Sequence, residues 1–190
     1  MKVVAFNGSP RRGGNTAKLI ERVFIELRRE DIEVELVELG GKGIHGCRGC
    51  GECRKNRNNR CVFDDDCVNE CIEKMIEADG IIAGSPTYFA NPTPEILSLL
   101  DRAFYVGRAN GDLFKGKVGA AVVAVRRAGG MHVFDSLNHF FLIGQMIVPG
   151  GKYWNIGYGN LPADVQNDVE GMDTMESLGK NMAFLLKKIR

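Results

Sequence analysis

The sequence predicts an α/β fold: a doubly wound, five-stranded parallel sheet with helices on both faces and a cysteine-rich loop inserted after strand 2. Three observations carry this. Short apolar runs alternate five times with segments of helical spacing, with no internal repeat between them. The first, third and fourth runs end in loops rich in Gly, Ser, Pro, Thr, Asn or Arg, and a parallel sheet gathers such exits at one end. A compact set of four thiols follows the second run.

The elements follow in order. Residues 3–6 are a continuous apolar run, as a strand buried on both faces requires, and they flow into Asn7-Gly8-Ser9-Pro10. Across residues 15–29, Leu19, Ile20, Val23, Phe24 and Leu27 recur at helical spacing, with Asn15 or Thr16 as the expected N-cap. Ile32, Val34, Leu36, Val37 and Leu39 mostly alternate, as an edge strand does. The cysteine segment, about residues 44–63, is expected as a long loop. Asp64, Asp65 and Asp66 read as a capped, dipole-matched start to a helix carrying Val68, Cys71, Ile72, Met75 and Ile76 rather than as a metal site. Residues 80–84 are the third strand. A helix at about 95–106, a fourth strand at 117–125, a helix at about 131–145, a fifth strand near 147–153 and a helix at about 171–189 complete one domain, 1–190.

Apolar residues make up 44% and charged residues 26%, ordinary values for a water-borne globular chain. A net charge of +1 provides no global field to recruit nucleic acid or an acidic membrane. The first apolar run is too short for a signal peptide, and no stretch reaches the roughly 20 apolar residues of a membrane span. The expectation is a cytoplasmic protein whose six cysteines are ligands or redox groups rather than disulfides.

The thiols stand as C-x2-C-x2-C-x7-C: Cys47, Cys50, Cys53 and Cys61. With Gly49 and Gly51 between them they can turn tightly toward one point, the tetrahedral set an iron–sulfur cubane requires. Zinc on four thiolates, a pair of disulfides and four unligated thiols remain the other readings. Arg48, Arg54, Lys55, Arg57 and Arg60 surround them with a single acid, Glu52. That collar suits a negatively charged cluster and an acidic donor. Cys71 fits the apolar helix stripe, and burial is also expected for Cys67. His132, Asp135 and His139 share a metal-like spacing that an exposed or interface helix explains without metal. His45 lies two residues ahead of the first thiol.

The loop from Gly8 to Thr16 joins a buried strand to a helix start. Its amides, the hydroxyls of Ser9 and Thr16 and the charge of Arg11 suit a phosphate dianion. It is neither the dinucleotide G-x-G-x-x-G nor a triphosphate loop, so a single phosphate, as on flavin mononucleotide, fits better. Tyr88 and Phe89 among three prolines form a stiff wall for a planar ring, and Gly129-Gly130 lets backbone approach a ligand.

The motifs N-G-S-P-R-x-x-G-N-T and P-T-Y-x-x-N-P, with G-G after the fourth strand, resemble the NAD(P)H-dependent FMN reductase superfamily, flavodoxin-like in fold. With the cysteine motif after strand 2, the chain resembles the iron–sulfur flavoproteins of anaerobes and archaea. The resemblance implies FMN and a [4Fe–4S] cluster in each subunit and assembly as homodimers or homotetramers. It carries Ser9, Arg11, Asn15 and Thr16 to the FMN phosphate. Pro86, Thr87, Tyr88, Phe89, Asn91, Arg127, Gly129 and Gly130 go to the flavin's surroundings, and Cys47, Cys50, Cys53 and Cys61 to the cluster. Phe134, Phe140, Phe141 and Trp154 are the aromatics expected at a subunit interface.

The expected function is electron transfer through FMN between a one-electron carrier such as ferredoxin and a two-electron acceptor, with no separate acid, base or nucleophile. A cluster-free NAD(P)H-dependent flavin, quinone or nitroaromatic reductase is the first alternative. A non-catalytic redox sensor or zinc-stapled flavin-binding module is the second.

Overall fold

The computed structural model describes residues 1–189. Five strands form one parallel sheet in the order β2-β1-β3-β4-β5: β1 Lys2–Asn7, β2 Glu33–Glu38, β3 Gly80–Pro86, β4 Val118–Val125 and β5 Ile156–Tyr158. β1 registers Val3 on Val34 of β2 and on Gly80 of β3. The order reverses direction at β1, so a crevice opens beyond the ends of β1 and β3. β2 is the expected edge strand.

Alternation along β1 divides the core. Val3 and Ala5 face a layer made by α1 (Asn15–Arg29) and α6 (Val169–Lys188). Val4 and Phe6 face a second layer made by α3 (Val68–Glu77), α4 (Pro94–Ala109) and α5 (Gly130–Ile143). A five-residue helix, α2 (Glu52–Asn56), lies within the cysteine segment, which is therefore not wholly a loop.

The fifth strand lies later than residues 147–153. Ile147 makes one bridge to Val118, then Pro149, with no N–H to donate, and two glycines end the pairing. The chain rejoins β4 at Ile156, opposite Val123. At α1 the cap is Gly14, not Asn15 or Thr16. The N-cap of α3 is Cys67, and of the three aspartates Asp66 alone meets the helix start, its Oδ1 accepting from the Val68 N–H at 3.0 Å; Asp64 and Asp65 are engaged elsewhere, as described below. Of the four aromatics expected at an interface, Phe141 is fully buried and Phe134 and Phe140 pack against the core. Only Trp154 is exposed, with Tyr153 edge-on at 4.4 Å. No helix among the described residues is long and apolar enough to cross a membrane.

Candidate functional site

The exits of β1, β3 and β4 lock together through backbone. The Gly8 N–H donates to the Gly84 carbonyl at 2.8 Å, and the Thr93 hydroxyl donates to the Gly8 carbonyl at 2.8 Å. Only glycine fits at position 8, because a Cβ would stand 2.5 Å from Thr93 Oγ1 and 2.8 Å from Ile96 Cβ. The Ser9 N–H donates to Asn7 Oδ1 at 3.0 Å, and the Arg11 N–H donates to Ser9 Oγ at 3.2 Å, which folds the loop over the start of α1. Thr87 ties β3's exit to β4, its N–H donating to the Ala124 carbonyl at 2.9 Å.

Tyr88 and Asn91 exchange two backbone hydrogen bonds of 2.9 Å around Phe89 and Ala90, whose φ angles are 49° and 62°. That is the left-handed pair of a tight primed turn, adopted here without glycine. Phe89 stands fully exposed at its tip. Gly129 at φ 87° abuts this turn, where a Cβ would lie 3.0 Å from Ala90 Cβ.

Between these loops is a cleft lined by Ser9, Arg11, Gly14, Asn15, Thr16, Pro86, Thr87, Tyr88, Ala124, Val125, Arg126, Gly159, Asn160 and Pro162. Ser9, Arg11, Asn15, Thr16, Pro86, Thr87 and Tyr88 are thus brought together. Phe89, Asn91 and Gly129 belong to the surrounding turns, Gly130 opens α5, and Arg127 is exposed while its neighbour Arg126 lines the cleft. Thr16 Oγ1 and Asn15 Oδ1 are buried with no hydrogen-bond partner, although the Asn15 amide donates to the Leu161 carbonyl at 3.0 Å. Buried unpaired polar atoms at a helix start, where the first amides are also free, fit an anionic ligand. The loop after β5 was not anticipated; placing β5 at Ile156 would have exposed Gly159-Asn160-Leu161-Pro162 as its exit.

The four thiols form a second site, against α4. Gly49 at φ 63° and Gly51 at φ 75° make the left-handed turns that bring Cys47, Cys50 and Cys53 around. Cys53 sits buried on α2, while Cys47 and Cys50 are exposed. Cys61 arrives from the far side, and all four line one small cavity with Phe63, Arg102, Tyr105 and Val106. Burial pushes the Cys53 thiol up, and the neighbouring sulfurs of Cys61, Cys47 and Cys50 each push it further. Mutual repulsion of this kind is felt by donors aimed at a common point.

Two side chains not anticipated from sequence hold this site. Asn69 on α3 accepts from the Cys61 N–H at 2.8 Å and donates to the Cys61 carbonyl at 3.0 Å. Arg102 on α4 is buried and pairs with Asp66. Asp64 pairs with Arg60 and accepts from Asn69 at 2.8 Å; Asp65 meets His45 Nε2 at 3.1 Å. The signals were present: a charge within the apolar stripe Leu99, Leu100, Ala103, Phe104 and an amide between Val68 and Cys71.

The basic collar is mostly spent within the chain. Lys55 pairs with Glu52, Arg60 with Asp64 and Glu73, and Arg48 stacks on Phe63 at 4.2 Å. Arg54 and Arg57 make no ion pair among the described residues and instead join Arg108, Tyr105, Phe104, Phe140 and Ile143 in a groove of about 560 Å³. Tyr105 lines both this groove and the thiol cavity. Cys71 is buried as expected, while Cys67 is half-buried. His132, Asp135 and His139 are all exposed on α5.

The family model for NADPH-dependent FMN reductases matches residues 1–160. An iron–sulfur flavoprotein of Methanocaldococcus jannaschii is 38% identical over the whole of both chains. The chain belongs to the iron–sulfur flavoproteins. A second member, from Methanosarcina thermophila, is 34% identical over all of this chain and 97% of its own. This iron–sulfur flavoprotein is a flavin-dependent oxidoreductase. Its fold is shared with the crystal structure of RosB with bound 8-demethyl-8-formylriboflavin-5'-phosphate, at a TM-score of 0.72, 20% identity and coverage of 100% of this chain and 80% of that one. A WrbA-like flavodoxin from Agrobacterium tumefaciens superposes at 0.67, with 14% identity and coverage of 100% and 98%.

Proposed function

We propose that this chain holds FMN in the cleft and one [4Fe–4S] cluster on Cys47, Cys50, Cys53 and Cys61. It then passes electrons between an acidic one-electron carrier of the ferredoxin type and a two-electron acceptor. The observation that carries the cluster is the convergence of four thiols from α2, its preceding turn and the loop at Cys61 on one cavity. Soft thiolate donors in that number select iron–sulfur or zinc, and a flavin partner favours the centre that changes oxidation state.

The unpaired Thr16 hydroxyl and Asn15 oxygen, with Ser9, Arg11 and the first amides of α1, suit the FMN phosphate. Pro86, Thr87 and Tyr88 form the ring-side wall, braced by the Phe89–Asn91 turn and by Arg127, Gly129 and Gly130 beyond it. Bound FMN takes up electrons singly or in pairs, which is the conversion this reaction needs. The unpaired Arg54, Arg57 and Arg108 would receive the acidic carrier next to Tyr105 and the thiols.

Arg102 lies eight residues along α4 from Pro94, a rise of about 12 Å along the helix at 1.5 Å per residue. We infer a homodimer or homotetramer in which the cluster of one subunit serves its neighbour's flavin. The exposed Leu142, Ile143, Tyr153 and Trp154 are apolar surface for that assembly. Six free thiols agree with a cytoplasmic, reducing setting.

The test is iron and sulfide analysis with a visible spectrum of anaerobically purified protein, alongside Cys50→Ala. The parent should carry cluster and FMN; the variant should lose most of its iron, keep FMN and stay folded. Equal iron in the two would refute the ligand assignment. The match to NADPH-dependent FMN reductases favours a second reading, direct NADPH reduction without a cluster. Iron-free protein with full NADPH oxidation would establish it, and tightly bound zinc without turnover would point to a stapled module.

A further inference from the structure

Arg102 is the largest fully buried side chain among the described residues. A guanidinium on the core face of a helix is unfavourable unless every charge and donor nearby compensates it. Its partners lie in the cysteine segment or just beyond its end. Nη1 pairs with the Asp66 carboxylate, itself 2% exposed, and donates to the His45 carbonyl at 3.3 Å. Nη2 donates to the Phe63 carbonyl at 2.9 Å. His45 stands two residues before Cys47, and Phe63 two residues after Cys61. One side chain therefore fastens both ends of the ligand segment to α4. Asp66 is drawn in further by the His45 N–H, which donates to it at 3.3 Å.

The same side chain lines the thiol cavity. Its Nε is buried without a partner, a donor left over after the clamp is made. Burial works against its charge, yet Asp66 and the nearby Cys61 sulfur hold its pKa above the ordinary arginine value.

We propose that Arg102 is a positioning and potential-setting residue for the metal centre: it clamps both ends of the Cys47–Cys61 segment and supplies a buried positive charge that favours the reduced form. This rests on the cluster reading above. A four-thiolate cluster becomes more negative on reduction, so a fixed cation beside Cys61 raises its midpoint potential, and Asp66 moderates that cation. Removing either partner should therefore move the potential in opposite directions, which a purely structural clamp would not do.

The experiment is a spectroscopically monitored redox titration of anaerobic holoprotein, with iron and sulfide content, for the parent, Arg102→Met, Arg102→Lys and Asp66→Asn. In Arg102→Met the reduced-to-oxidised ratio at the parental midpoint should fall about tenfold, about 59 mV for a one-electron couple. In Asp66→Asn it should rise. Arg102→Lys keeps the charge but not the forked donors, so its potential should stay near the parent's while a chelator strips its iron faster. If Arg102→Met does not fold, the rise in Asp66→Asn together with the faster iron loss of Arg102→Lys decides. Shifts of the same sign in Arg102→Met and Asp66→Asn, or an unmoved potential in Asp66→Asn at parental iron content, would overturn the inference and leave the cluster reading intact. A parent lacking iron and sulfide would sink both together.

Discussion

The amide of Asn69 grips Cys61 by both backbone groups, accepting from its N–H at 2.8 Å and donating to its carbonyl at 3.0 Å. The same Nδ2 reaches the Phe63 carbonyl at 3.2 Å, so the loop carrying the fourth thiol is suspended from α3. Asn69→Ala leaves a part-buried N–H and carbonyl unpaired, at a cost of about 2–4 kcal/mol. Chemical denaturation should show that loss. Iron should leave the variant faster than the parent, and unchanged stability would mean water replaces the amide.

At the other site the Thr16 hydroxyl has no partner among the described residues. Thr16→Val should therefore leave the flavin-free protein as stable as the parent or slightly more so. FMN should bind about 10- to 100-fold more weakly, the worth of a hydrogen bond to a charged group. Calorimetric titration of FMN into stripped protein measures this. Equal affinity would remove Thr16 from the phosphate site.

Much of this architecture is legible in the sequence because three strands are buried on both faces. Residues 3–6, 80–84 and 118–125 are almost wholly apolar, and no other element reads that way. β5 is not legible, because its middle residue is Gly157, required where the Leu19 side chain comes within 2.5 Å of a would-be Cβ. The apolar Ile147-Val148 nearby imitates a strand that Pro149 then stops. Thiol spacing reveals the four cysteines that line one cavity, since close neighbours in the chain are visible in one dimension. Arg102, 36 residues beyond Asp66, joins it only through the packing of α4 on the cysteine segment.

The groove of Arg54, Arg57 and Arg108 should govern encounter with an acidic carrier. Replacing all three with Gln should slow carrier-dependent reduction about tenfold at low salt and flatten its salt dependence, because steering is screened by ions. FMN and iron contents should not change. Stopped-flow rates across an ionic-strength series give the answer, and parental salt dependence in the triple variant would place docking elsewhere.

Cys71 should be the least reactive thiol. Burial, with Cys67 beside it, raises its pKa from 9.0 to about 12. The folded state thus holds this proton more tightly than the unfolded chain does. Its contribution to stability is complete below about pH 9 and is lost as pH climbs from there toward 12. Native protein treated with iodoacetamide at pH 8.5 should show Cys71 unmodified by peptide mass mapping, while denatured protein is alkylated there. Rapid native labelling would contradict its burial.

The two sites draw on different halves of the molecule. Asn69, Arg102 and Asn110, whose Nδ2 donates to the Cys53 carbonyl at 3.3 Å, all stand on or just after α3 and α4. The cleft uses the start of α1 and the exits of β3, β4 and β5. A change in the thiol segment should therefore leave the lining of the cleft in place. With Cys47 and Cys50 outermost and Cys53 inside, a soft metal arriving from solvent would meet the two exposed thiols before the buried one.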